Sequence, residues 1–295
     1  MAASLQAFQN RLSPSVNASQ EAPIFIFANT WRSGSTYLQR LIMDASDTVL
    51  WGEPYDRALF VDRLSHSVRF FEAAWPTDDS FVEAKPGFAK AGTKGLSGDW
   101  IANLYPPGEA VRKAHQAFFL ELLKVPAERL GATRWGFKDV RLSMDHAIYL
   151  QWLFPRAKFL FLYRNPYDAY LSYRGTKSSW YRAFPDDRLF SGTKFGQHWR
   201  SLLQGFMNGH QHVAGLMVCY ETLCSDESLR RSVFEYLGIP PSQSQPLEKL
   251  RGAGAWMPPD GEFLRNEISS VELWSLRRQV EPLASVLGYR GPSVG

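Results

Sequence analysis

The sequence is poor in cysteine and has no long apolar run. Cys219 and Cys224 are its only cysteines, and no cysteines and histidines at metal-binding spacing accompany them, so we expect two reduced thiols and no bound metal. No apolar run reaches the roughly 18 residues that cross a bilayer, and the N-terminus lacks the basic-then-apolar order of a signal peptide. These absences predict a cytoplasmic protein without a membrane span.

Runs of a single charge are also absent. Lys and Arg number 33 and Asp and Glu 29 among 295 residues, which gives a net charge of +4 with the basic residues dispersed along the chain. A mild, dispersed positive charge suits a small anionic ligand and gives no reason to expect nucleic acid. The remaining composition, 45% hydrophobic and 21% charged, is typical of a globular protein.

The most informative stretch of the sequence is Pro23–Met43, which reads PIFIFANTWRSGSTYLQRLIM. A strand of β-branched and aromatic residues ends in a turn of small residues, and an amphipathic helix follows at once. The free N–H groups and the positive end of such a helix attract anions. Small side chains let the backbone approach a ligand closely, and an arginine adds a forked cation. We therefore predict a phosphate-binding loop formed by Arg32, Ser33, Gly34, Ser35 and Thr36.

This loop differs from the ATP-binding pattern GxxxxGK[ST]. That pattern needs an early Gly and a Lys that reaches the β- and γ-phosphates. Here the early position is Asn29, and Arg32 stands before the glycine rather than after it. Neither Asp139 nor Asp168 is a convincing magnesium ligand at a strand end. A P-loop nucleotide kinase or NTPase is thus an alternative, and a related loop that needs no metal is the preferred interpretation.

Strands alternate with helices along the chain. The patterns predict strands at 24–28, 48–51, 135–138, 158–163 and 215–220, with helices at 36–44, before 154, from 166, and at 195–214 and 225–237. Residues 1–22 read as a polar arm or as a first helix that docks late. We expect a single α/β domain at 23–295, P-loop NTPase-like, with a central mostly parallel sheet, helices on both faces, and substrate-side insertions at about 56–130 and 175–195.

Four charged residues fall at the carboxyl ends of predicted strands, where ligands bind in such sheets. They are Arg32, Glu53, Lys138 and Arg164. Ser172 lies about two helical turns beyond Arg164, a separation of roughly 11 Å. Both reach one ligand only if the chain folds back at Asn165-Pro166. An arginine fork with a hydroxyl donor then suits a second, separate phosphate.

Together these motifs resemble the sulfotransferases that use 3′-phosphoadenosine 5′-phosphosulfate (PAPS). In that family a strand–loop–helix near the N-terminus holds the 5′-phosphosulfate, and an Arg and a Ser eight residues apart hold the 3′-phosphate. Arg164 and Ser172 have this spacing. The segments VCYETL and EYLGIP resemble a further family element, which places Tyr220 near the adenine. The resemblance covers about 23–240.

The resemblance also indicates a branch of the family. Cytosolic small-molecule members carry Lys-Ser-Gly-Thr where this chain has Arg-Ser-Gly-Ser at 32–35, and they have a C-terminal Arg-Lys-Gly element that this chain lacks. The LGY at 287–289 is similar to the branch that includes tyrosylprotein sulfotransferases. The chain thus looks closer to the bacterial, carbohydrate and tyrosylprotein members.

The resemblance assigns candidate catalytic residues. Glu53, in WGEP, resembles the Gly-Glu element that supplies the general base in tyrosylprotein sulfotransferases; otherwise it caps a turn or pairs with Arg57. His146 is the second candidate base, because cytosolic members use a histidine; otherwise it is a surface residue of a helix. Lys138 resembles a strand-end lysine that binds the transferring sulfuryl group; otherwise it pairs with Asp139 or Asp145.

The resemblance implies an enzyme that transfers a sulfuryl group in line from PAPS to a hydroxyl acceptor without a metal. Adenosine 3′,5′-bisphosphate is the leaving product. A sugar, a phenol, a peptide tyrosine and a lipid-like alcohol all suit the aromatic residues of the insertions. A non-catalytic binding protein on the same fold is the remaining alternative. The aromatic residues expected at the acceptor pocket are Trp75, Trp100, Tyr105, Trp180 and Tyr181.

Overall fold

The computed structural model describes residues 1–12, 19–72, 74–96, 104–174, 191–240 and 269–291. In this part of the chain five strands form one sheet in the order β2-β3-β1-β4-β5. Every neighbouring pair is parallel, so the predicted parallel α/β architecture is confirmed. The strands are β1 Ile24–Ala28, β2 Thr48–Trp51, β3 Arg134–Asp139, β4 Lys158–Tyr163 and β5 Leu216–Cys219.

Helices connect the strands and cover the sheet. They are α1 Ala2–Leu12, α2 Ser35–Asp44, α3 Phe60–Val68, α4 Pro86–Ala91, α5 Gly108–Phe119, α6 Val125–Arg129, α7 Met144–Leu153, α8 Pro166–Arg174, α9 Gly192–Gly209, α10 Tyr220–Ser225, α11 Glu227–Leu237 and α12 Ser270–Val286. A π-helical turn, Leu120–Lys124, joins α5 to α6. Short 3₁₀ turns occupy Asp56–Ala58, Asp78–Ser80, Val82–Ala84, Gly92–Leu96 and His210–Val213.

The strands separate two apolar clusters, one on each face of the sheet. All five residues of β1 are buried. Ile24, Ile26 and Ala28 pack with residues of α2, α8, α9, α11 and α12. Phe25 and Phe27 pack on the opposite face with residues of α1, α3, α5 and α7. Because side chains alternate across a strand, a buried continuous apolar strand needs helices on both sides.

The register of the strands brings their carboxyl ends to one edge. Phe27 of β1 lies opposite Asp139 of β3, and Ala28 lies opposite Leu162 of β4. On the outer side, Trp51 at the end of β2 lies opposite Phe137. The segments that leave β1, β2, β3 and β4 therefore start side by side, and this edge carries the candidate site.

The structure bears on three local expectations. The N-terminal segment is a docked helix, because Leu5 and Phe8 of α1 are 4% and 1% exposed and Phe8 packs edge-on against Trp152. Tyr220 begins α10 rather than ending β5. Part of the expected insertion contributes to the core, since Phe119 is only 2% exposed.

Candidate active site

The loop after β1 presents an uncapped helix N-terminus. Gly34 adopts a left-handed conformation with φ 89°, and α2 begins at the next residue without a side-chain cap. Among the described residues, no backbone carbonyl accepts a hydrogen bond from the N–H groups of Gly34, Ser35 or Thr36. Unpaired N–H groups at the positive end of a helix form an anion site. The loop thus has the geometry predicted from its sequence.

Several polar atoms of this loop are buried without a protein partner. Asn29 Oδ1, Thr30 Oγ1, Trp31 Nε1 and Ser33 Oγ have no hydrogen-bond partner in the part of the chain that the structure describes. Leaving one such group unpaired costs about 1–3 kcal/mol. Buried polar groups of native proteins are nearly always paired, so a cluster of exceptions marks a place where a ligand or water belongs.

Tyr220 packs directly against the glycine of the loop. A Cβ atom built on Gly34 would lie 2.1 Å from Cδ2 and Cε2 of the tyrosine ring. The guanidinium carbon of Arg164 lies 4.6 Å from the centroid of the same ring, a cation–π arrangement. The ring therefore contacts both the predicted phosphate loop and the predicted second anion site.

A chain of hydrogen bonds joins the two candidate anion sites. Arg164 Nη1 donates to the carbonyl oxygen of Arg32 at 2.8 Å, and Arg32 Nε donates to Ser172 Oγ at 3.0 Å. The sequence predicted that Arg164 and Ser172 share one phosphate ligand; in the structure the Ser172 hydroxyl contacts Arg32. Neither Arg32 nor Arg164 has a carboxylate partner among the described residues, so this edge keeps its positive charge. Arg164 Nε is buried and has no hydrogen-bond partner among them either.

Glu53 and Lys138 form an ion pair beside this edge. Lys138 Nζ lies 2.5 Å from Glu53 Oε1, and each side chain is only 12% exposed. The strand ends of β2 and β3 bring the two residues together. Glu53 was expected to act as a base, to cap a turn or to pair with Arg57, and the structure shows it paired with Lys138. Asp145, one of the expected partners of Lys138, pairs instead with Arg69 at 3.1 Å.

Asp139 adds a second carboxyl group next to this pair. Burial raises the pKa of Asp139 to about 7, and the negative charge of Glu53 acts in the same direction. Its Oδ1 accepts a hydrogen bond from the backbone N–H of Arg141 at 2.8 Å. From the sequence, Asp139 stands only as an unconvincing magnesium ligand or as a partner of Lys138. Its position as the last residue of a buried strand was the signal that its carboxyl group would be enclosed.

His146 lies near the start of α7, and both of its ring nitrogens contact other residues. It is the third residue of α7 in a capping box with Ser143, and its Nδ1 accepts a hydrogen bond from the Ser143 N–H at 3.0 Å. Its Nε2 lies 3.2 Å from Asp62 Oδ1. Burial lowers the pKa of His146, and Asp62 opposes this shift. The expectation of a surface histidine is wrong, because the residue is 8% exposed.

The aromatic residues expected near the acceptor are placed only in part. Trp75 is 49% exposed, and its ring packs against Phe71. Tyr105 packs edge-on against Phe81. The other three, Trp100, Trp180 and Tyr181, lie outside the described residues.

Most of the chain matches one known protein family. A model described as the sulfotransferase family matches residues 23–243. The chain belongs to the sulfotransferase family. The matched range of this sulfotransferase contains all five strands and every candidate site residue. A comparison with curated proteins found no match.

Several solved structures are similar to this sulfotransferase. A sulfotransferase domain from the curacin biosynthetic pathway is 14% identical with a TM-score of 0.47, and covers 93% of this chain and 100% of its own. A sulfotransferase domain from the Synechococcus PCC 7002 olefin synthase is 15% identical with a TM-score of 0.46, and covers 94% and 98%. Because these identities and TM-scores are low, the family assignment depends only on the family match over residues 23–243.

Among the described ranges, no group of three or more His, Cys, Asp or Glu side chains is placed to hold a metal ion. None of the helices in those ranges is both long enough and apolar enough to cross a bilayer.

Proposed function

We propose that this sulfotransferase transfers a sulfuryl group from PAPS to a hydroxyl acceptor and releases adenosine 3′,5′-bisphosphate. The observation that carries the proposal is the chain of hydrogen bonds from Arg164 through Arg32 to Ser172. It links an uncapped helix N-terminus to a second cationic site, and neither arginine has a carboxylate partner among the described residues. A donor with phosphates at both its 5′ and 3′ positions needs two such sites side by side.

Each part of the donor has a matching group in the protein. Arg32 and the N–H groups from Ser33 to Thr36 would hold the 5′-phosphosulfate, since unpaired N–H groups and a guanidinium both stabilise phosphate charge. Arg164 and Ser172 would hold the 3′-phosphate. The ring of Tyr220, which lies against Gly34, offers a flat surface for the adenine.

Glu53 is our proposed general base. Sulfuryl transfer, like phosphoryl transfer, leaves the protein mainly the tasks of positioning and charge stabilisation. The acceptor hydroxyl would attack the sulfur in line, its proton would pass to the Glu53 carboxylate, and the bond from sulfur to the bridging oxygen would break. Lys138 holds Glu53 at the edge through their ion pair, and its ammonium would stabilise charge on the sulfuryl oxygens.

His146 is a weaker candidate base on this geometry. Ser143 and Asp62 contact its two ring nitrogens, so it would have to give up one of these contacts to take a proton. Glu53 sits instead at a strand end beside the predicted donor loop. We therefore propose Glu53 as the base and assign His146 to capping α7.

Calorimetry tests the donor. We expect adenosine 3′,5′-bisphosphate to bind in the presence of a chelator and Arg164→Ala to weaken it by about 1.5–3 kcal/mol, the contribution of a hydrogen bond to a charged group. Arg231→Ala, an exposed arginine paired with Glu227 on α11, is the control and should change nothing. If ATP with magnesium binds equally well, the chain is better explained as a nucleotide kinase or NTPase. Transfer of labelled sulfate to a panel of hydroxylated compounds then separates an enzyme from a binding protein.

A further inference from the structure

Glu221 accepts hydrogen bonds from three separate parts of the chain. It is the second residue of α10, directly after Tyr220. Its Oε1 accepts the backbone N–H of Asn165 at 2.9 Å. Its Oε2 accepts the hydroxyl of Tyr289 at 3.0 Å and the thiol of Cys219 at 3.3 Å. Both carboxylate oxygens are thus bonded.

The partners of Glu221 adjoin the second anion site. Asn165 directly follows Arg164, and its own Oδ1 accepts the N–H of Tyr167 to start α8. Tyr220 directly precedes Glu221, and its ring contacts both Gly34 and the Arg164 guanidinium. A shift of the Glu221 carboxylate would therefore move the backbone on either side of the site.

Tyr289 ties this carboxylate to the C-terminal segment. The tyrosine follows α12, which also contacts α8 through Tyr167 and Glu281 at 2.9 Å and through Tyr170 and Glu272 at 3.1 Å. Burial raises the pKa of the Tyr289 hydroxyl, which keeps it protonated as a donor. The segment that leaves α12 thus bonds to the same carboxylate as the loop that follows β4.

In the part of the chain that the structure describes, Glu221 and Arg164 form no ion pair with each other. The carboxylate oxygens of Glu221 are bonded by a backbone N–H, a hydroxyl and a thiol, while Arg164 Nη1 donates to a backbone carbonyl. A carboxylate paired with this arginine would cancel the charge that attracts a phosphate. Glu221 instead fixes the backbone next to Arg164 and leaves the guanidinium positive.

We propose that Glu221 is a positioning residue for the nucleotide 3′-phosphate, acting through Arg164, and that Tyr289 braces it from the C-terminal segment. This inference rests on the proposed function, because it concerns the same donor. If the inference is right, a change at Glu221 should weaken the binding of ligands that carry a 3′-phosphate and have little effect on the binding of those without one.

Binding of two nucleotides tests this selectivity. Adenosine 3′,5′-bisphosphate and adenosine 5′-phosphate differ only in the 3′-phosphate. We expect Glu221→Gln to weaken the bisphosphate at least tenfold in calorimetry and to change the monophosphate less than threefold. Tyr289→Phe, which removes one hydroxyl, should weaken the bisphosphate about threefold. Glu227→Gln, at a side chain that is 80% exposed, is the matched control and should leave both affinities unchanged.

A double variant separates positioning from general stability. If Glu221 acts through Arg164, then Arg164→Ala with Glu221→Gln should bind the bisphosphate no more weakly than Arg164→Ala alone. An equal loss for both nucleotides, additive losses in the double variant, or unchanged affinities would overturn the inference. If Glu221→Gln does not fold, Tyr289→Phe tests the inference through the same comparison of affinity losses for the bisphosphate and the monophosphate. If the wild type binds neither nucleotide, the proposed function fails as well.

Discussion

Arg164 donates a hydrogen bond of 2.8 Å to the carbonyl oxygen of Arg32. The bond joins the first residue after β4 to the loop after β1, and these two strands are neighbours in the sheet. Arg32 thus makes two contacts: its carbonyl oxygen accepts from Arg164, and its side chain donates to Ser172. The bond therefore joins the loop of the first candidate phosphate site to the arginine of the second.

Ser172→Ala tests the far end of this chain of hydrogen bonds. Loss of the hydroxyl removes the contact with Arg32 Nε and a proposed donor to the 3′-phosphate, so we expect bisphosphate binding to weaken by about 1 kcal/mol. Adenosine 5′-phosphate should bind as before. Calorimetry gives both values, and Ser67→Ala in α3, whose hydroxyl bonds only to a helix carbonyl, is the control. Equal losses for both nucleotides would contradict this placement of Ser172.

Gly34→Ala tests the contact between the loop and Tyr220. An alanine at φ 89° is strained by about 1–2 kcal/mol, and its Cβ would also lie 2.1 Å from the tyrosine ring. We expect a lower melting temperature and at least a tenfold loss of bisphosphate affinity. Gly131→Ala is a matched control, because its φ is 84° and nothing lies within 4 Å of the added Cβ. It should lower stability by the backbone strain alone, and intact binding by Gly34→Ala would show that the ring does not hold the loop.

Glu53→Gln tests the general base. The amide keeps the shape of the side chain and cannot take a proton, so turnover should fall by about 10²–10⁴-fold. Affinity for adenosine 3′,5′-bisphosphate should stay within about twofold, since the proposed donor site lies at the ends of β1 and β4, which β3 separates from β2. Labelled sulfate transfer and calorimetry measure the two effects. Glu109→Gln, in an exposed pair with Lys113, should leave both unchanged, and full turnover by Glu53→Gln would remove this residue from the role.

Asp139→Asn tests the buried carboxyl group through the pH dependence of stability. The pKa of Asp139 is raised to about 7 from its ordinary 3.8. Between these values the native state holds a proton that the unfolded state has released, so this group makes the free energy of unfolding fall as pH rises towards 7. Below about 4 its contribution is fully present, and above 7 it has been lost, an effect on the order of a few kcal/mol.

Urea unfolding across this pH range measures the contribution. Relative to the wild type, Asp139→Asn should gain stability steadily between about pH 4 and pH 7, because it has no proton to lose. Asp44→Asn, at an exposed position on α2, should run parallel to the wild type. A constant difference between Asp139→Asn and the wild type over the whole range would show that Asp139 does not titrate within it.

The sheet followed from local patterns in the sequence. The bounds of β1, β2 and β4 agree with the predicted ones. For β1 and β4 the reason is that a strand buried on both faces must be continuously apolar. The end of β5 did not follow, because Tyr220 suits a strand and a helix equally and the glycine beneath its ring is 186 residues earlier in the chain. The sequence left residues 1–22 as a polar arm or a late-docking helix, because α1 shows few apolar residues; Leu5 and Phe8 are buried in the core.

The sequence predicts which residues lie at the strand ends of the candidate site. It does not predict which of them contact each other. Parallel strands bring their carboxyl ends to one edge, and this rule grouped Arg32, Glu53, Lys138 and Arg164. Long side chains then choose among several partners within reach. Lys138 thus pairs across strands with Glu53 rather than with its neighbour Asp139. Glu221 and Tyr289 are 68 residues apart, and no local pattern joins them.

β1 is the first strand along the chain but the central strand of the sheet. The neighbours of β1 begin only at Arg134 and Lys158. As the polypeptide leaves the ribosome, the apolar run IFIFA must therefore wait for more than a hundred further residues before either partner exists. Such distant pairing slows folding, and an unpaired apolar strand is prone to aggregate in the meantime. The nascent chain should accordingly depend on chaperones until the fourth strand has emerged.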